Sequence, residues 1–483
     1  MKKILIIITL IALGTSCKKD LTSLNVDQKR PAVVPSASLF ASGQRNFSDA
    51  LASSNVNIGI FRLLAQQWTE TTYTDESNYD LNTRAIPDNW WNRLYRDVLE
   101  DLNQAKTLVP SEGQSAAVQA NQLAAIDIMQ VYTYSVLVNT FGNVPYSESL
   151  NIANVFPKYD DGKAIYEDLL KRLNADIAAI SPVDEGYGSS DLIYGGDMAA
   201  WLKFANSIKL KLAMTIADDD PQTARTAIEQ AAPGAFTSNA DNAKVNYTQA
   251  PPNTNPVWTD LVQSGRKDFV AANTVVDVMN GLDDPRRPYY FTFDATGVYT
   301  GGEYGASNNY ATYSKPAGPL LVAGSVGKIT NPDFPSVILD YSQIEFLRAE
   351  AVERGFNIGA GTAQSHYDAA ITASIEWWTG STATAAAYLA MPEVNYATAA
   401  GDWKEKIGIQ KWLALYNQGF DAWTEVRRLD YPKLEAPEDA QSDYPQRFTY
   451  PVTEQNVNTG NYNQAASAMG GDVVESKIFW DKY

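Results

Sequence analysis

Apolar residues recur along this chain at the three-to-four spacing that lines one face of a helix. Leu94, Val98, Leu102, Ala105 and Leu108 form one stripe, closed by Pro110, and Ile165, Leu169, Leu170, Leu173 and Ile177 form a second, closed by Ser181-Pro182. A third joins Trp201, Ala205, Ile208, Leu212 and Ile216, leaving Lys203, Lys209 and Lys211 on other faces. Ile338, Tyr341, Ile344, Leu347 and Ala351 make a fourth, and 366–377 a fifth. Each stripe predicts an amphipathic helix that needs a partner for its apolar side. Asp220-Pro221 adds a start signal, a carboxylate at the N-cap and proline at the first helical position. The expected fold is therefore mainly α, a scaffold of helical pairs like tetratricopeptide repeats in which each pair buries its second face on the next. No strict period of about 34 residues holds, so degenerate pairs with insertions are expected.

The insertions are Thr69–Pro87, Ser181–Gly196, Gln249–Lys267 and Pro285–Pro335, all rich in Gly, Asn, Pro and Tyr. Loops beyond about 15 residues are usually functional or carry strands of their own. A few short β-hairpins and the ligand surface are expected there.

The N-terminus follows a different pattern. Lys2 and Lys3 precede an apolar run from Ile4 to Leu13, then the small residues Gly14, Thr15 and Ser16, then Cys17. This reads as a secretory signal, too short to span a bilayer, with cleavage before Cys17. Cys17 is the only cysteine, which excludes a disulfide framework and a multi-cysteine metal site. A thiol in that place suits a diacylglycerol; several acyl chains on one residue, palmitate among them, would hold the protein firmly. The segment resembles a bacterial lipobox, with Leu13 four residues before the cysteine where the usual aliphatic residue stands three before. The expected organisation is a lipoprotein signal peptide over 1–16, a lipidated Cys17 and flexible tether over 17–35, and a single ligand-binding domain over 36–483. No other long apolar run is uninterrupted, since Asn121, Asp127 and Gln130 break the stretch from Val118 to Val138. The membrane is thus reached through lipid alone.

Charge and composition narrow the function. Fifty-six acidic against 38 basic residues give a net charge of -18, which lacks the basic footprint that nucleic acid requires. The 27 Tyr and 11 Trp often stand beside Asn, Thr, Asp or Gly. Such aromatics can stack on the C–H face of a sugar while polar neighbours take its hydroxyls. The single histidine, His366, excludes a multi-histidine zinc site and a histidine-centred triad, and is expected to be structural or simply exposed. Gly324-Ser-Val-Gly-Lys328 lacks phosphate-loop spacing. Asp218-Asp219-Asp220 reads as a solvated helix cap rather than a cation site. No cofactor, metal or catalytic residue is expected; a glycosidase-type carboxylate pair is defined by separation in space, which the chain order does not give. Adjacent helical positions point about 100° apart, so of Trp90-Trp91 and of Trp377-Trp378 one ring is expected buried and the other exposed or at a seam.

A series of longer motifs carries a resemblance. In order they are Gln67-Trp-Thr-Glu-Thr-Thr-Tyr-Thr-Asp-Glu76, Thr140-Phe-Gly-Asn-Val-Pro-Tyr-Ser-Glu148, Trp201-Leu-Lys-Phe-Ala-Asn-Ser-Ile-Lys-Leu210, Asp284-Pro-Arg286, Ile344-Glu-Phe-Leu-Arg-Ala-Glu350, Gln418-Gly-Phe-Asp-Ala-Trp-Thr-Glu-Val-Arg427 and Arg447-Phe-Thr-Tyr-Pro451, leading to Gly470-Gly-Asp and Phe479-Trp-Asp481. Together they resemble the SusD/RagB-like nutrient-binding outer-membrane lipoproteins. The resemblance implies a SusD-like tetratricopeptide scaffold, a loop-rich half that carries ligand, and a SusC-like TonB-dependent transporter on which the lipoprotein acts as a hinged lid. It also implies surface export, with Lys18-Lys19-Asp20 similar to the charged signals found after such cysteines. Physically, Phe141-Gly142-Asn143 and Val144-Pro145 read as a helix stop and a fixed turn. Arg348, Glu350 and Arg427 read as structural ion pairs, so the motifs are scaffold and the site lies where motifs fade.

The function expected is a non-enzymatic, cell-surface lipoprotein of the outer membrane that binds oligosaccharide and passes it to the transporter. A peptide ligand in the same architecture, a surface glycoside hydrolase and a structural adaptor are the alternatives. Ligand contacts are expected from Trp68, Tyr73 and Tyr79 in the first insertion and from Tyr304, Tyr310 and Tyr313 in the last, with Asn308 and Asn309 as hydrogen-bond partners.

Overall fold

A computed structural model describes residues 34–317 and 325–483. The signal, Cys17 and most of the tether lie outside the described residues. Ser36–Tyr483 packs as one unit.

Helix α1, Ser36–Ala52, packs on α2, Glu100–Leu108, and on the π-helical turns Arg93–Leu99 that lead into it. Four pairs then follow in chain order. Helix α3, Ala116–Phe141, pairs with α4, Gly162–Ala179; α5, Met198–Thr215, pairs with α6, Pro221–Ala231. Helix α7, Tyr341–Glu353, pairs with α8, Ala363–Thr379, and α9, Trp403–Ala414, with α10, Gly419–Leu429. Contacts of α4 with α5, α5 with α7, and α7 with α9 join each pair to the next. The mainly α scaffold of degenerate pairs is thus the one the periodicity predicts.

Aspartates start most of these helices. The side chains of Asp161, Asp197, Asp220, Asp340 and Asp402 accept from free N–H groups in the first turns of α4, α5, α6, α7 and α9, satisfying donors that the helix cannot pair itself. Asp340 also explains where the fourth stripe departs from expectation. Capping at Asp340 holds the residue before it extended, so Ile338 lies in a strand rather than on the helix.

Three two-stranded ribbons stiffen the connections. Strand β1, Trp68–Glu70, runs antiparallel to β5, Phe269–Ala271; β2, Val144–Pro145, to β3, Tyr159–Asp160; and β4, Ala243–Val245, to β6, Ser336–Leu339. The first and last join distant segments of chain, where local hairpins inside the insertions were expected. Gly142, at φ +84°, ends α3 as the sequence indicates, whereas Val144-Pro145 is strand rather than turn.

Polar breaks in the apolar stretch of α3 are matched one by one. Asn121 donates to the carbonyls of Ser181, Asp184 and Glu185, while Asp127 meets Lys106 at 2.6 Å and Arg172 at 2.9 Å. Among the described residues no helix is long and apolar enough to cross a membrane. Of the acidic triplet, only Asp220 caps; Asp218 pairs with Arg354 and Asp219 with Lys163 and Lys482. Those two are ion-paired rather than solvated. His366 Nδ1 lies 2.6 Å from Glu345 and is structural.

The motif residues are largely interior. Asp284 and Arg286 form an ion pair with no exposure, and Glu350, Arg428, Glu425 and Lys411 link α7, α9 and α10 in a buried network. Among the described residues Arg427 has no carboxylate within ion-pair distance. Its guanidinium lies 3.4 Å from the Trp423 ring centroid and donates to the carbonyls of Gln446 and Asn139, and burial lowers its pKa to about 9. Trp90 and Trp91 are both buried, against Phe61 and Phe141 respectively, because flanking segments cover both sides of that helix. In the other pair Trp378 is buried, while Trp377 is half-exposed beside an open depression with Lys244 4.9 Å from its ring.

Candidate ligand-binding cleft

The β1–β5 ribbon ends in the wall of a cleft. Its pairing continues past Glu70, where the Thr71 N–H donates to the Asp268 carbonyl at 2.9 Å and the Thr71 hydroxyl to the Lys267 carbonyl at 2.7 Å. Two insertions are thereby held side by side, Thr71–Tyr73 opposite Arg266–Asp268. The last insertion is clamped to the same ribbon. Asn308 donates its N–H to the Thr71 carbonyl and its side-chain amide to the carbonyls of Glu70, Glu303 and Ala306. Gly302 makes this approach possible, since a Cβ there would lie 2.5 Å from Asn308 Oδ1 and 2.6 Å from Val270. Farther on, the Ser314 carbonyl accepts the Ala271 N–H, and the Lys315 carbonyl accepts the Thr292 N–H while the Lys315 N–H donates to the Thr292 hydroxyl.

These loops enclose two adjoining hollows that share Leu261, Arg266, Asp268 and Phe269. One, of about 590 Å³, is bounded by Ser54–Asn57, Glu70–Tyr73, Arg84 and the 259–269 segment. Its neighbour, of about 390 Å³, is bounded by Thr292, Tyr310, Lys315, Pro316, Ala317, Lys328 and Thr330 on the far side. The volumes fall in the range of small-molecule sites. Tyr73, 66% exposed, stands in the first hollow, and the half-buried Tyr310 in the second.

Two of the eight residues expected to touch ligand therefore come together in one cleft. Four others are inside the protein. Trp68 is buried against Phe269, lies under the Arg62 guanidinium and donates its indole N–H to the Tyr416 hydroxyl at 3.2 Å. Tyr79 accepts from Gln66 and packs edge-on against Tyr444. Tyr304 donates to the Leu63 carbonyl, and Asn308 is the clamp described above. With rings covered and polar atoms engaged, these four support the cleft instead of lining it. Tyr313 is half-buried and Asn309 exposed, both outside the lining.

The residues the sequence reading did not single out are the cations. Arg84, Arg266, Lys267, Lys315 and Lys328 border the hollows, and their signal was basic residues in loops of a strongly acidic chain. In the wall of the first hollow, Glu70 is buried close to the buried Glu76. Glu70 accepts from the N–H and hydroxyl of Ser77 at 2.9 Å, and Glu76 pairs with Arg84. Burial first, then the neighbouring Glu76, raise the Glu70 pKa to about 9, which favours its protonated form at neutral pH. No cluster of candidate metal ligands occurs among the described residues.

A helical-pair scaffold that holds a loop-built cleft defines the class, and sequence comparison agrees. Residues 28–451 match the SusD-like family described as "Starch-binding associating with outer membrane", and the chain belongs to that family. Among solved structures, a SusD homolog from Bacteroides uniformis is 25% identical, with a TM-score of 0.77 over 92% of this chain and 99% of that one. A chitin-binding SusD homolog from Flavobacterium johnsoniae is 23% identical, with a TM-score of 0.75 over 92% and 98%. A further structure named a chitin-binding protein is 24% identical, with a TM-score of 0.77 over 93% and 100%. No curated protein matches the chain.

Proposed function

We propose that this protein captures an oligosaccharide in the two-part cleft and delivers it to a SusC-like TonB-dependent transporter of the outer membrane. The observation that carries the reading is the placement of Tyr73 and Tyr310 on either side of a shared wall, in loops pinned to the β1–β5 ribbon. Aromatic faces with hydroxyl, amide and charged neighbours suit a pyranose, whose ring stacks while its hydroxyls find polar partners. Membership of a family described as starch-binding, and the chitin-binding names of two structural neighbours, favour the same ligand class.

The role is binding without catalysis. Glycoside hydrolysis needs two carboxyls about 5–9.5 Å apart, flanking the scissile bond. Glu70 and Glu76 are instead both buried, the one bonded to Ser77 and the other paired with Arg84. Anchoring is assigned to Cys17 after removal of residues 1–16, with 17–35 as the tether, so that the domain opens and closes over its transporter while staying on the outer surface.

Calorimetric titration of the native chain with neutral and acidic oligosaccharides and with peptides tests the ligand class. Saturable binding of at least one glycan, without release of reducing ends on long incubation, is the expected result. Tight peptide binding with no response to any sugar would overturn it, and sustained release of reducing ends would restore the hydrolase.

A further inference from the structure

The second hollow is built around positive charge in a chain that carries a large negative excess. The Lys267 ammonium lies 5.7 Å and the Lys315 ammonium 5.2 Å from the centroid of the Tyr310 ring, and Lys328 borders the same space. None of the three lysines has a carboxylate within ion-pair distance among the described residues. Elsewhere lysines are commonly paired, as Lys106 is with Asp127, Lys163 with Asp219, Lys203 with Asp241 and Lys211 with Asp421. With 56 acidic residues available to 38 basic ones, partners are not scarce.

The acids near this hollow are already engaged. Asp268, the one carboxylate in its lining, pairs with Arg266. Asp294 acts on Lys315 only at range, its oxygens being taken by Thr296, Val298 and Thr300. Tyr310 offers no counter-charge either, because burial raises its phenol pKa and keeps the ring neutral. Lys267 and Lys315 are at most about 11 Å apart by their distances to one ring, well inside the Debye length of about 30 Å at 10 mM salt, so at low salt their charges repel. Cation–π attraction to Tyr310 offsets part of that repulsion. An anion held between them would remove the rest.

We infer that the Tyr310 hollow, lined by Lys315 and Lys328 and reached at its ring by Lys267 of the adjoining hollow, receives an acidic sugar unit, its ring stacked on Tyr310 and its carboxylate or sulfate ester held by the ammonium groups. This rests on the oligosaccharide reading and adds the charge of the substrate to it. The first hollow, with Asn55, Asn57, Thr71 and Tyr73, takes the adjoining units of the chain.

Titration of the native chain with an oligogalacturonate, a sulfated carrageenan oligosaccharide and neutral malto-, xylo- and chito-oligosaccharides of matched length tests this, at 20 and 300 mM NaCl. One anionic probe is expected to bind about tenfold tighter or more than any neutral one, and to weaken several-fold at the higher salt. Which anionic arm responds separates carboxylate from sulfate. Lys267→Met with Lys315→Met should erase the preference, and the Lys→Arg pair should retain most of it, which distinguishes lost charge from a disturbed fold. A neutral oligosaccharide binding as tightly as both anionic probes would overturn the inference while leaving the glycan reading intact. An anionic preference unchanged in the Met variant would also overturn it. Binding of an acidic peptide with no sugar of any charge would bring down both.

Discussion

Glu70 lines the first hollow with almost no access to water, close to the buried Glu76, and its raised pKa ties that wall of the cleft to pH. Glu70 titrates at about 9 in the folded chain, against an ordinary value of 4.5. Its contribution to stability is therefore complete below pH 4.5 and is lost as the pH rises through 9. A Glu70→Gln variant keeps a donor toward Glu76 and an acceptor for Ser77 but has no proton to lose. Thermal unfolding from pH 6 to pH 10 should show a smaller fall in Tm for the variant than for the native chain; parallel curves would contradict a raised Glu70 pKa. Residue identity was also the least legible scale in the sequence. Tyr73 and Tyr79 stand six positions apart in one insertion, yet one projects into solvent and the other is held at φ +68° under Tyr444. Composition rates them alike, and only the fold of the loop separates them. The unpaired lysines were equally hidden, because pairing is a matter of proximity that chain order does not reveal.

Elements were far more legible. The stripes from Ile165 and from Trp201 became α4 and α5 because burying such a face needs nothing beyond a neighbour of the same kind. Strand pairing was not, since Trp68 meets Ala271 across two hundred residues and no local turn signals it. The helix starts lead to a simple expectation. Asp161→Ala or Asp402→Ala should each cost about 1 kcal/mol in denaturant unfolding. The clamp between the last insertion and β1 makes a sharper one. Asn308→Ala withdraws an amide from three carbonyls and should cost about 1–3 kcal/mol. It should also weaken glycan binding although Asn308 does not line the cleft, because it fixes the loop that leads to Tyr310. A destabilised variant with unaltered affinity would show that the clamp serves stability alone.

At the scale of the whole molecule the scaffold and the cleft divide the work. The buried charges of Asp284, Arg286, Glu350 and Arg428 knit helices together. The cleft is built from the loops those helices carry, Tyr73 of the first motif among them, which lets one scaffold carry different sites. A tether at Cys17 would keep that body beside a membrane partner at high local concentration. Replacing Cys17 by Ala should accordingly move the protein from the membrane to the soluble fraction; retention in the membrane would contradict lipid anchoring. The central claim is that the Tyr73–Tyr310 cleft binds the ligand, and the most direct measurement is the affinity of the Tyr73→Ala, Tyr310→Ala double variant for the glycan that the native chain binds. Stacking energies of about 0.5–1.5 kcal/mol per ring predict a loss of roughly tenfold or more with unfolding unchanged. Native affinity in a folded double variant would place the site elsewhere.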